Sequence, residues 1–270
     1  MNSPLLDVNS LCVEFHTGSR KVQAVRGISF SILPGECFSI VGESGSGKSV
    51  TALTIMDELD TTGTVTQGSI TYSGLRLIDQ NTPRSSWMKP KDAAMVYQYP
   101  LKFLKGDHSI FEYFSSALRQ LHPRAGEKTL RGFAANLLEK VRIAKPESCL
   151  DAFPEQLSCG TCQRIRIALA LVRRPRLLIA DEPTTGLDVL TQKVILDMLL
   201  HVAHEQNMAV LLITHNLDTA LRYSDHIGVM RYGHMLEMGS PSEIVHSPAV
   251  SYTRELFAAV PSRISRSVRA

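Results

Sequence analysis

One stretch of the sequence decides the fold, and it reads Ile40-Val41-Gly42-Glu43-Ser44-Gly45-Ser46-Gly47-Lys48-Ser49. It fits the phosphate-binding pattern G-x-x-x-x-G-K-[ST] at every fixed position. The glycines let the backbone curl so that successive N–H groups point inward, and the helix that follows aims its positive dipole end at the same place. Lys48 can reach the outer phosphates, and the Ser49 hydroxyl is a hard oxygen suited to magnesium. The stretch predicts a nucleoside triphosphate site, with an ordinary Gly/Ser-rich turn as the alternative.

Composition bounds the remaining possibilities. The chain has 270 residues, a formal net charge of +3 and five cysteines, an odd number whose spacing does not indicate a disulfide framework. Lys and Arg are scattered, so no nucleic-acid surface is expected, and the basic tail with Arg263, Arg266 and Arg269 is interpreted as a solvated terminus. The longest apolar runs are far shorter than the roughly 20 residues of a membrane-spanning helix, and the N-terminus lacks an export signal. These features favour a reducing, cytoplasmic location.

Polar side chains follow three apolar strands of the predicted parallel sheet. Gln98 follows Ala94-Met95-Val96-Tyr97, Asp181 and Glu182 end the run from Leu177, and His215 follows the run from Met208. In an open α/β sheet such positions lie beside the ligand crevice. Asp181 can hold magnesium, and Glu182 can orient or deprotonate a water. A lone histidine at a strand end is more often structural, but the other two strand ends favour a functional role for His215.

The rest of the chain completes an α/β pattern. Leu5 to Ile40 alternates like antiparallel strands, and 68–74 is a short strand between glycines. Residues 109–148 turn helical, with two apolar faces. The faces are Phe111, Phe114, Leu118 and Leu121, then Phe133, Leu137, Leu138 and Val141. We therefore predict an α/β P-loop NTPase fold with a mixed, mainly parallel core sheet, an N-terminal antiparallel β subdomain and an inserted α-helical subdomain.

The motifs, in this order and spacing, resemble the nucleotide-binding subunit of ABC transporters over nearly the whole chain. Phe15 is similar to the aromatic of the A-loop, 42–49 to Walker A, Gln98 to the Q-loop and His215 to the switch histidine. Residues 157–164 are similar to the signature motif, 177–181 with Glu182 to Walker B and its catalytic glutamate, and 186–188 to the D-loop. The signature-like segment just before Walker B separates this family from kinases and GTPases.

The resemblance implies roles for particular residues, with ATP and Mg²⁺ as cofactors. Catalysis would involve Lys48, Gln98, Glu182 and His215, and magnesium would be held by Ser49, Gln98 and Asp181. The implied nucleotide-binding residues are Phe15, Gly42, Glu43, Ser44, Gly45, Ser46, Gly47, Lys48, Ser49, Val50, Ser158, Gly160 and Asp188. Residues 1–240 would be the nucleotide-binding domain, with a helical subdomain at about 99–165, followed by a C-terminal helix and tail at 241–270.

Within the family, the segment 251–261 and Walker A resemble the oligopeptide, dipeptide and nickel importers. This implies an ATPase peripheral to the cytoplasmic face of the inner membrane. Its partners would be a second ATP-binding subunit, two integral permease subunits and, indirectly, a substrate-binding protein, with no nucleic acid. Two such subunits would sandwich two ATP molecules between the Walker A of one and the signature of the other. The absence of cysteines after Cys162 favours the shorter nickel or metallophore type.

The signature motif departs from the family pattern. The family has Leu-Ser-Gly-Gly followed by Gln or Met, whereas this chain has Cys159 at the first glycine and Thr161 after Gly160. A side chain there can clash with a phosphate or forbid the required φ, so we hypothesise an unequal heterodimer in which this signature serves the partner's site poorly. Cys159 and Cys162 also form a C-x-x-C at a helix start, which can lower a thiol pKa, so a redox switch is a weaker hypothesis. No second ligand pair for zinc is visible.

Two other functions compete with the importer motor. A soluble ABC-type ATPase acting on nucleic acid or ribosomes would usually carry two cassettes or a long coiled-coil insertion, and the sequence shows neither. A regulatory nucleotide binder without hydrolysis is disfavoured by Glu182 and His215. The sequence does not name the cargo.

Overall fold

The structure is a computed structural model that describes residues 3–18, 20–80, 86–98, 104 and 106–258. The chain forms two compact units. The first contains the described residues up to Ala93 and from Ala209 onward, and the second contains Ala94–Met208. The elements in chain order are β1 (Leu6–Thr17), β2 (Arg20–Ile32), β3 (Cys37–Val41), α1 (Lys48–Ile55), β4 (Gly63–Tyr72), β5 (Leu75–Asp79), β6 (Ala93–Val96), α2 (Ile110–Leu121), α3 (Glu127–Lys140), α4 (Pro146–Leu150), α5 (Cys159–Leu171), β7 (Leu177–Asp181), α6 (Val189–Glu205), β8 (Ala209–Thr214), α7 (Leu217–Tyr223), β9 (His226–Arg231), β10 (His234–Gly239), α8 (Pro241–His246) and α9 (Ser251–Ala258).

The first unit begins with the predicted antiparallel sheet, whose strand order is β2-β1-β4-β5. Leu6, Val8, Leu11 and Val13 of β1 are buried, because apolar side chains along a half-buried strand collect on one face. The strand predicted at 68–74 is the second half of the longer β4 and the turn after it. Its boundary was wrong because Gly68, at φ +90°, allows β4 to continue through the register shift between Asn9 and Cys12 of β1.

The same unit holds four strands of the mixed sheet, in the order β10-β9-β3-β8. β3 is parallel to both β8 and β9, and β10 pairs antiparallel with β9. All residues of β3 and β8 are buried, as expected for strands covered on both faces. Val41 lies in register with Thr214 of β8 and with Val229 of β9. Gly42 and His215 therefore leave the sheet at the same carboxyl edge.

The second unit combines neighbouring strands β6 and β7 with helices α2 to α6. Ser109 begins α2 with a capping box, in which its hydroxyl accepts from the Glu112 amide and its amide donates to the Glu112 carboxylate. The predicted apolar faces are only partly correct. Phe114 and Leu138 are buried, but Leu121 and Phe133 are each 42% exposed. The buried face of α3 consists of Leu130, Ala134, Ala135 and Leu138.

The predicted fold class, α/β with an N-terminal antiparallel sheet and a mixed sheet plus helices, is confirmed. The domain boundaries at about 99–165 and at 240 remain predictions. None of the helices in the described ranges has both the length and the apolar character that a bilayer span requires. Arg263, Arg266 and Arg269 lie outside the described residues, as do 259–261 of the importer-like segment.

Candidate functional site

The loop between β3 and α1 depends on glycine at two positions of close approach. Gly42 has φ +151°, and a Cβ there would overlap the main-chain oxygen of Met230. Gly47 has φ +103°, and its Cβ would come within 2.5 Å of the Ala24 carbonyl oxygen. An alanine at either position would also meet a backbone conformation that L-residues rarely adopt. The loop can therefore follow its tight path only with glycine at these positions.

The Lys48 ammonium lies inside this loop. Its Nζ donates to the carbonyl oxygens of Gly42 and Glu43, both at 2.8 Å, and the side chain is only 7% exposed. A buried ammonium needs such partners, because an uncompensated charge in the interior is costly. The phosphate oxygens of a nucleotide could replace these carbonyls as acceptors. The geometry therefore fits the predicted phosphate site, and Lys48 begins α1, whose positive dipole end faces the loop.

The loop is braced by the turn between β9 and β10. The Gly233 amide donates to the Ser46 carbonyl at 3.0 Å, and the Arg26 amide of β2 donates to the Gly233 carbonyl at 2.8 Å. Ser46 itself is 3% exposed, whereas Glu43, Ser44 and Gly45 are exposed. The buried side of the loop is thus fixed by main-chain hydrogen bonds, and the exposed side is left accessible to a ligand.

Two further predicted site residues belong to the first unit. His215 follows β8 directly, at the carboxyl edge where Gly42 follows β3. Phe15, near the end of β1, is half-buried and lies opposite Gly63 of β4. A Cβ on Gly63 would come within 2.9 Å of the Phe15 ring. Glycine at that position therefore makes room for the ring, and stacking of the ring on an adenine base remains a prediction.

A contact missed from the sequence joins the loop to the C-terminal helix. The Tyr252 hydroxyl of α9 donates to Glu43 Oε1 at 3.1 Å, and the Arg231 guanidinium lies 4.2 Å from the centre of the Tyr252 ring. Burial, followed by the hydrogen bond to the Glu43 carboxylate, raises the pKa of Tyr252. The hydroxyl therefore keeps its proton and acts as the donor.

In the second unit, β7 delivers its two acids as predicted. Asp181 ends the strand and is 5% exposed. Glu182 has φ +48°, a conformation that costs a non-glycine residue of order 1–3 kcal/mol and that clusters at functional sites. The Thr185 hydroxyl donates to Glu182 Oε2 at 3.1 Å, and the Thr185 amide donates to the Glu182 carbonyl at 3.2 Å. One oxygen of the Glu182 carboxylate is therefore already held by Thr185.

The signature-like segment forms the start of α5. The Ser158 hydroxyl is the N-cap and accepts from the Thr161 amide at 3.1 Å. A Cβ on Gly160 would come within 2.9 Å of the Thr191 side chain of α6, so glycine permits close packing there. Cys159 is exposed and has no positive φ, so the proposed conflict of backbone conformation at this position is wrong. Its helical backbone suits any L-residue, and only the steric part of that hypothesis remains.

The C-x-x-C does not have the character expected of a redox pair. Cys162 is fully buried, and its Sγ lies 3.5 Å from the Pro154 carbonyl oxygen as a donor. Burial, with a contribution from Cys159, raises the pKa of Cys162, so the expected lowering of a thiol pKa is wrong for Cys162. No cluster of three or more potential metal ligands occurs among the described residues.

A buried polar network links α5 to both neighbouring motifs, and sequence reasoning did not find it. Gln163 Nε2 donates to the Pro183 carbonyl, next to Glu182. Arg166 Nη1 donates to the Tyr97 carbonyl at 2.9 Å, one residue before Gln98, and to Gln163 Oε1 at 3.3 Å. Burial lowers the pKa of Arg166 to about 10. The sequence signal for this network was the presence of two polar residues, Gln163 and Arg166, one helical turn apart among apolar residues of α5.

The remaining predicted residues occupy ordinary structural positions. Gln98 is half-buried and follows β6, and Val50 lies in the first turn of α1. Asp188 is the N-cap of α6, where its carboxylate accepts from the Thr191 amide at 3.0 Å. The hydrogen bonds from Thr191 lower the pKa of Asp188. Capping explains this aspartate without a nucleotide, so its role at a nucleotide site remains a prediction.

Residues 25–185 match the family described as ABC transporter. The dipeptide transport ATP-binding protein DppD of Escherichia coli K12 is 40% identical over 259 residues, which are 95% of this chain and 78% of that protein. The glutathione import ATP-binding protein GsiA of the same strain is 38% identical over 263 residues. These cover 95% of this chain but only 42% of the length of GsiA.

Two solved structures share the fold. One is cbiO1 from Clostridium perfringens, described as part of the ABC transporter complex cbiONQ, with a TM-score of 0.75 and 26% identity. The match covers 98% of this chain and 97% of cbiO1. The other is the ATP-binding cassette MJ0796, a dimer bound to ADP and phosphate, with a TM-score of 0.74 and 23% identity over 87% of this chain and 98% of that one. The second likeness concerns the fold alone. With its phosphate loop, its carboxylate-ended strand and these matches, the chain belongs to the ABC transporter family, and its relatives include ATP-binding proteins of dipeptide transport and of glutathione import.

Proposed function

We propose that this chain is the ATP-binding and ATP-hydrolysing subunit of an ABC importer that takes up peptides across the cytoplasmic membrane. The observation that carries the proposal is the loop from Gly42 to Ser49, with the buried Lys48 ammonium at its centre and His215 at the same edge of the sheet. Importer relatives at 38% and 40% identity support the assignment.

Nucleotide binding would use groups that the first unit already orients. Lys48 would exchange the carbonyls of Gly42 and Glu43 for β- and γ-phosphate oxygens, and the main-chain N–H groups of the loop would donate to the same phosphates. The exchange costs little reorganisation, because the ammonium is already desolvated in the loop. Phe15 would stack on the adenine base.

Hydrolysis would depend on positioning and charge, as in other phosphoryl transfers. Ser49, Asp181 and Gln98 would hold Mg²⁺, which neutralises charge on the phosphates. Glu182 would orient or deprotonate the attacking water, and His215 would contact the γ-phosphate. The hydrogen bond from Thr185 favours one orientation of the Glu182 carboxylate, because one of its oxygens already accepts there.

The complete importer would contain other protein chains. Ser158 and Gly160 would face the nucleotide of a second ATP-binding subunit, with Asp188 near the same junction, and the irregular Cys159 favours a partner of different sequence. Two permease subunits would anchor the pair at the cytoplasmic face of the membrane, and a substrate-binding protein would deliver cargo. The description of cbiO1 as part of an ABC transporter complex supports an assembly of this kind.

The proposed cargo is a short peptide. The names of DppD and GsiA concern a dipeptide and glutathione, a tripeptide-sized thiol, and both relatives match 95% of this chain. A nickel or metallophore complex is the second candidate, and it rests on the resemblance of Walker A and of residues 251–261 and on the absence of cysteines after Cys162. A soluble ATPase outside transport is the remaining alternative.

Reconstitution tests the proposal. The chain is copurified with its membrane partners, placed in proteoliposomes with ATP inside, and assayed for uptake of labelled dipeptide, glutathione and Ni²⁺-histidine. We expect peptide uptake that requires ATP and disappears with E182Q. Copurification of two membrane proteins and a second ATPase would support the subunit composition. ATP hydrolysis without any membrane partner or uptake would contradict the importer and favour a soluble ATPase.

A further inference from the structure

The exposed rim of the phosphate loop carries a negative charge. Glu43 lies between Gly42 and Ser44 and is exposed, while its own carbonyl accepts from Lys48 at 2.8 Å. A carboxylate beside a site for nucleotide phosphates repels the ligand unless the side chain is directed elsewhere. The position of the Glu43 carboxylate is therefore a determinant of nucleotide affinity.

That position is fixed from the C-terminal helix. The Tyr252 hydroxyl donates to Glu43 Oε1 at 3.1 Å across a sequence separation of 209 residues. The hydrogen bond to a charged acceptor is of the stronger kind. It holds one carboxylate oxygen against α9 and limits the rotamers available to Glu43.

Tyr252 is itself rigidly held. It is 7% exposed, packs in a buried cluster that contains Val41 and Phe257, and has the Arg231 guanidinium 4.2 Å from its ring centre. The Glu237 carboxylate of β10 accepts from the Ala249 amide at 2.6 Å, which fixes the segment entering α9. The Tyr252 hydroxyl that contacts Glu43 therefore belongs to a side chain packed in the same buried cluster as Val41, the last residue before the loop.

We propose that Tyr252 is a positioning residue for nucleotide binding, which holds the Glu43 carboxylate away from the phosphates and so raises affinity. The inference rests on the proposed nucleotide site of the loop. It assigns the C-terminal helix a role in setting the affinity of a loop more than two hundred residues earlier in the chain.

A purely structural role makes different predictions. If Tyr252 only anchored α9, its loss would lower thermal stability and leave the dependence of binding on ligand charge unchanged. If Tyr252 restrains a charge, loss of its hydroxyl weakens the binding of ATP more than the binding of ADP. This loss of affinity becomes smaller as the salt concentration rises, and removal of the Glu43 charge restores the affinity.

The experiment uses four variants of the full chain: Y252F, E43Q, the double variant, and Y72F as a matched control. Tyr72 is buried in the same unit, and its replacement by phenylalanine also removes a hydroxyl hydrogen bond, the one to the Asp92 carbonyl at 3.2 Å. The dissociation constants of ATP and ADP are measured by calorimetric titration in EDTA at 50 mM and 500 mM salt. Melting temperatures are recorded in parallel.

We expect Y252F to raise the Kd of ATP by about threefold at low salt, the effect of one charge moved within about a Debye length of the phosphates. ADP is affected less, the increase shrinks at 500 mM salt, and the double variant binds as E43Q does. Y72F leaves the Kd unchanged. An unchanged Kd in Y252F, or a loss that E43Q does not reverse, overturns the inference alone. A parent chain that binds no nucleotide overturns the proposed function and this inference with it.

Discussion

Replacing Gly47 by alanine is expected to damage the phosphate loop far more than replacing Gly45. Both glycines have positive φ, +103° and +78°. A Cβ at 47 comes within 2.5 Å of the Ala24 carbonyl oxygen and 3.1 Å of Met230 Cε, whereas a Cβ at 45 meets nothing within 4 Å. Comparison of G45A with G47A therefore separates two contributions to the loss of stability, the unfavourable backbone conformation and the steric overlap of the new Cβ.

The magnitudes follow from these two costs. A positive φ costs an L-residue about 1–2 kcal/mol, and this applies to both variants. Only G47A also forces a backbone neighbour to move, which adds about 1–3 kcal/mol as in other overpacked sites. We therefore expect destabilisation of about 1–2 kcal/mol for G45A and about 2–5 kcal/mol for G47A.

Urea unfolding followed by circular dichroism measures the difference. With an m-value of about 3 kcal/mol/M, the midpoint should fall by about 0.5 M in G45A and by about 0.7–1.7 M in G47A. Folded G47A should also bind ATP more weakly than folded G45A, because Gly47 is the N-cap of α1. Equal midpoints for the two variants would refute the reasoning, since the contacts with Ala24 and Met230 would then carry no cost.

Further outcomes can be checked independently. E182Q should slow ATP hydrolysis at least about a hundredfold while retaining ATP affinity, since a general base or water-positioning group contributes about 10²–10⁴; unchanged turnover would remove Glu182 from the mechanism. Q163L should destabilise the chain by about 1–3 kcal/mol, because the Pro183 carbonyl loses its buried donor, and a stable Q163L in urea would contradict the network. Iodoacetamide at pH 8 should label exposed Cys159 in the native chain and Cys162 only after unfolding. Burial keeps the reagent from Cys162, and the raised pKa lowers the fraction of Cys162 that is thiolate. Equal labelling of both cysteines in the native chain would contradict this. In a complex with a second ATPase, C159G should raise total turnover, and no change would end the hypothesis of an impaired signature.

Features with a local cause could be predicted from the sequence. The phosphate loop was recognisable because its glycine spacing is a requirement of the loop's own backbone, and Gly42 and Gly47 meet that requirement in the structure. The polar ends of the strands were recognisable because carboxyl ends of parallel strands share an edge. The register of Val41 with Thr214 confirms this for the loop and His215.

Features that depend on partners distant in sequence could not be predicted. The contact from Tyr252 to Glu43 joins residues 209 positions apart, and no sequence pattern in either segment predicts it. Apolar periodicity placed Phe133 in the core, but the alanines of α3 face the core and Phe133 is 42% exposed. The positive φ of Glu182 follows from the turn that Thr185 closes, and glutamate is not a residue type that signals such a conformation.

Equilibrium binding of ATP to the isolated chain tests the central claim most directly, namely that the loop around Lys48 is a nucleotide site. We expect saturable, one-to-one binding of ATP to the parent chain. In K48A we expect binding at least about tenfold weaker with circular dichroism unchanged, because a hydrogen bond to a charged group contributes about 1.5–3 kcal/mol. Absence of saturable binding to the folded parent chain, or equal affinity of the parent and K48A, would contradict it.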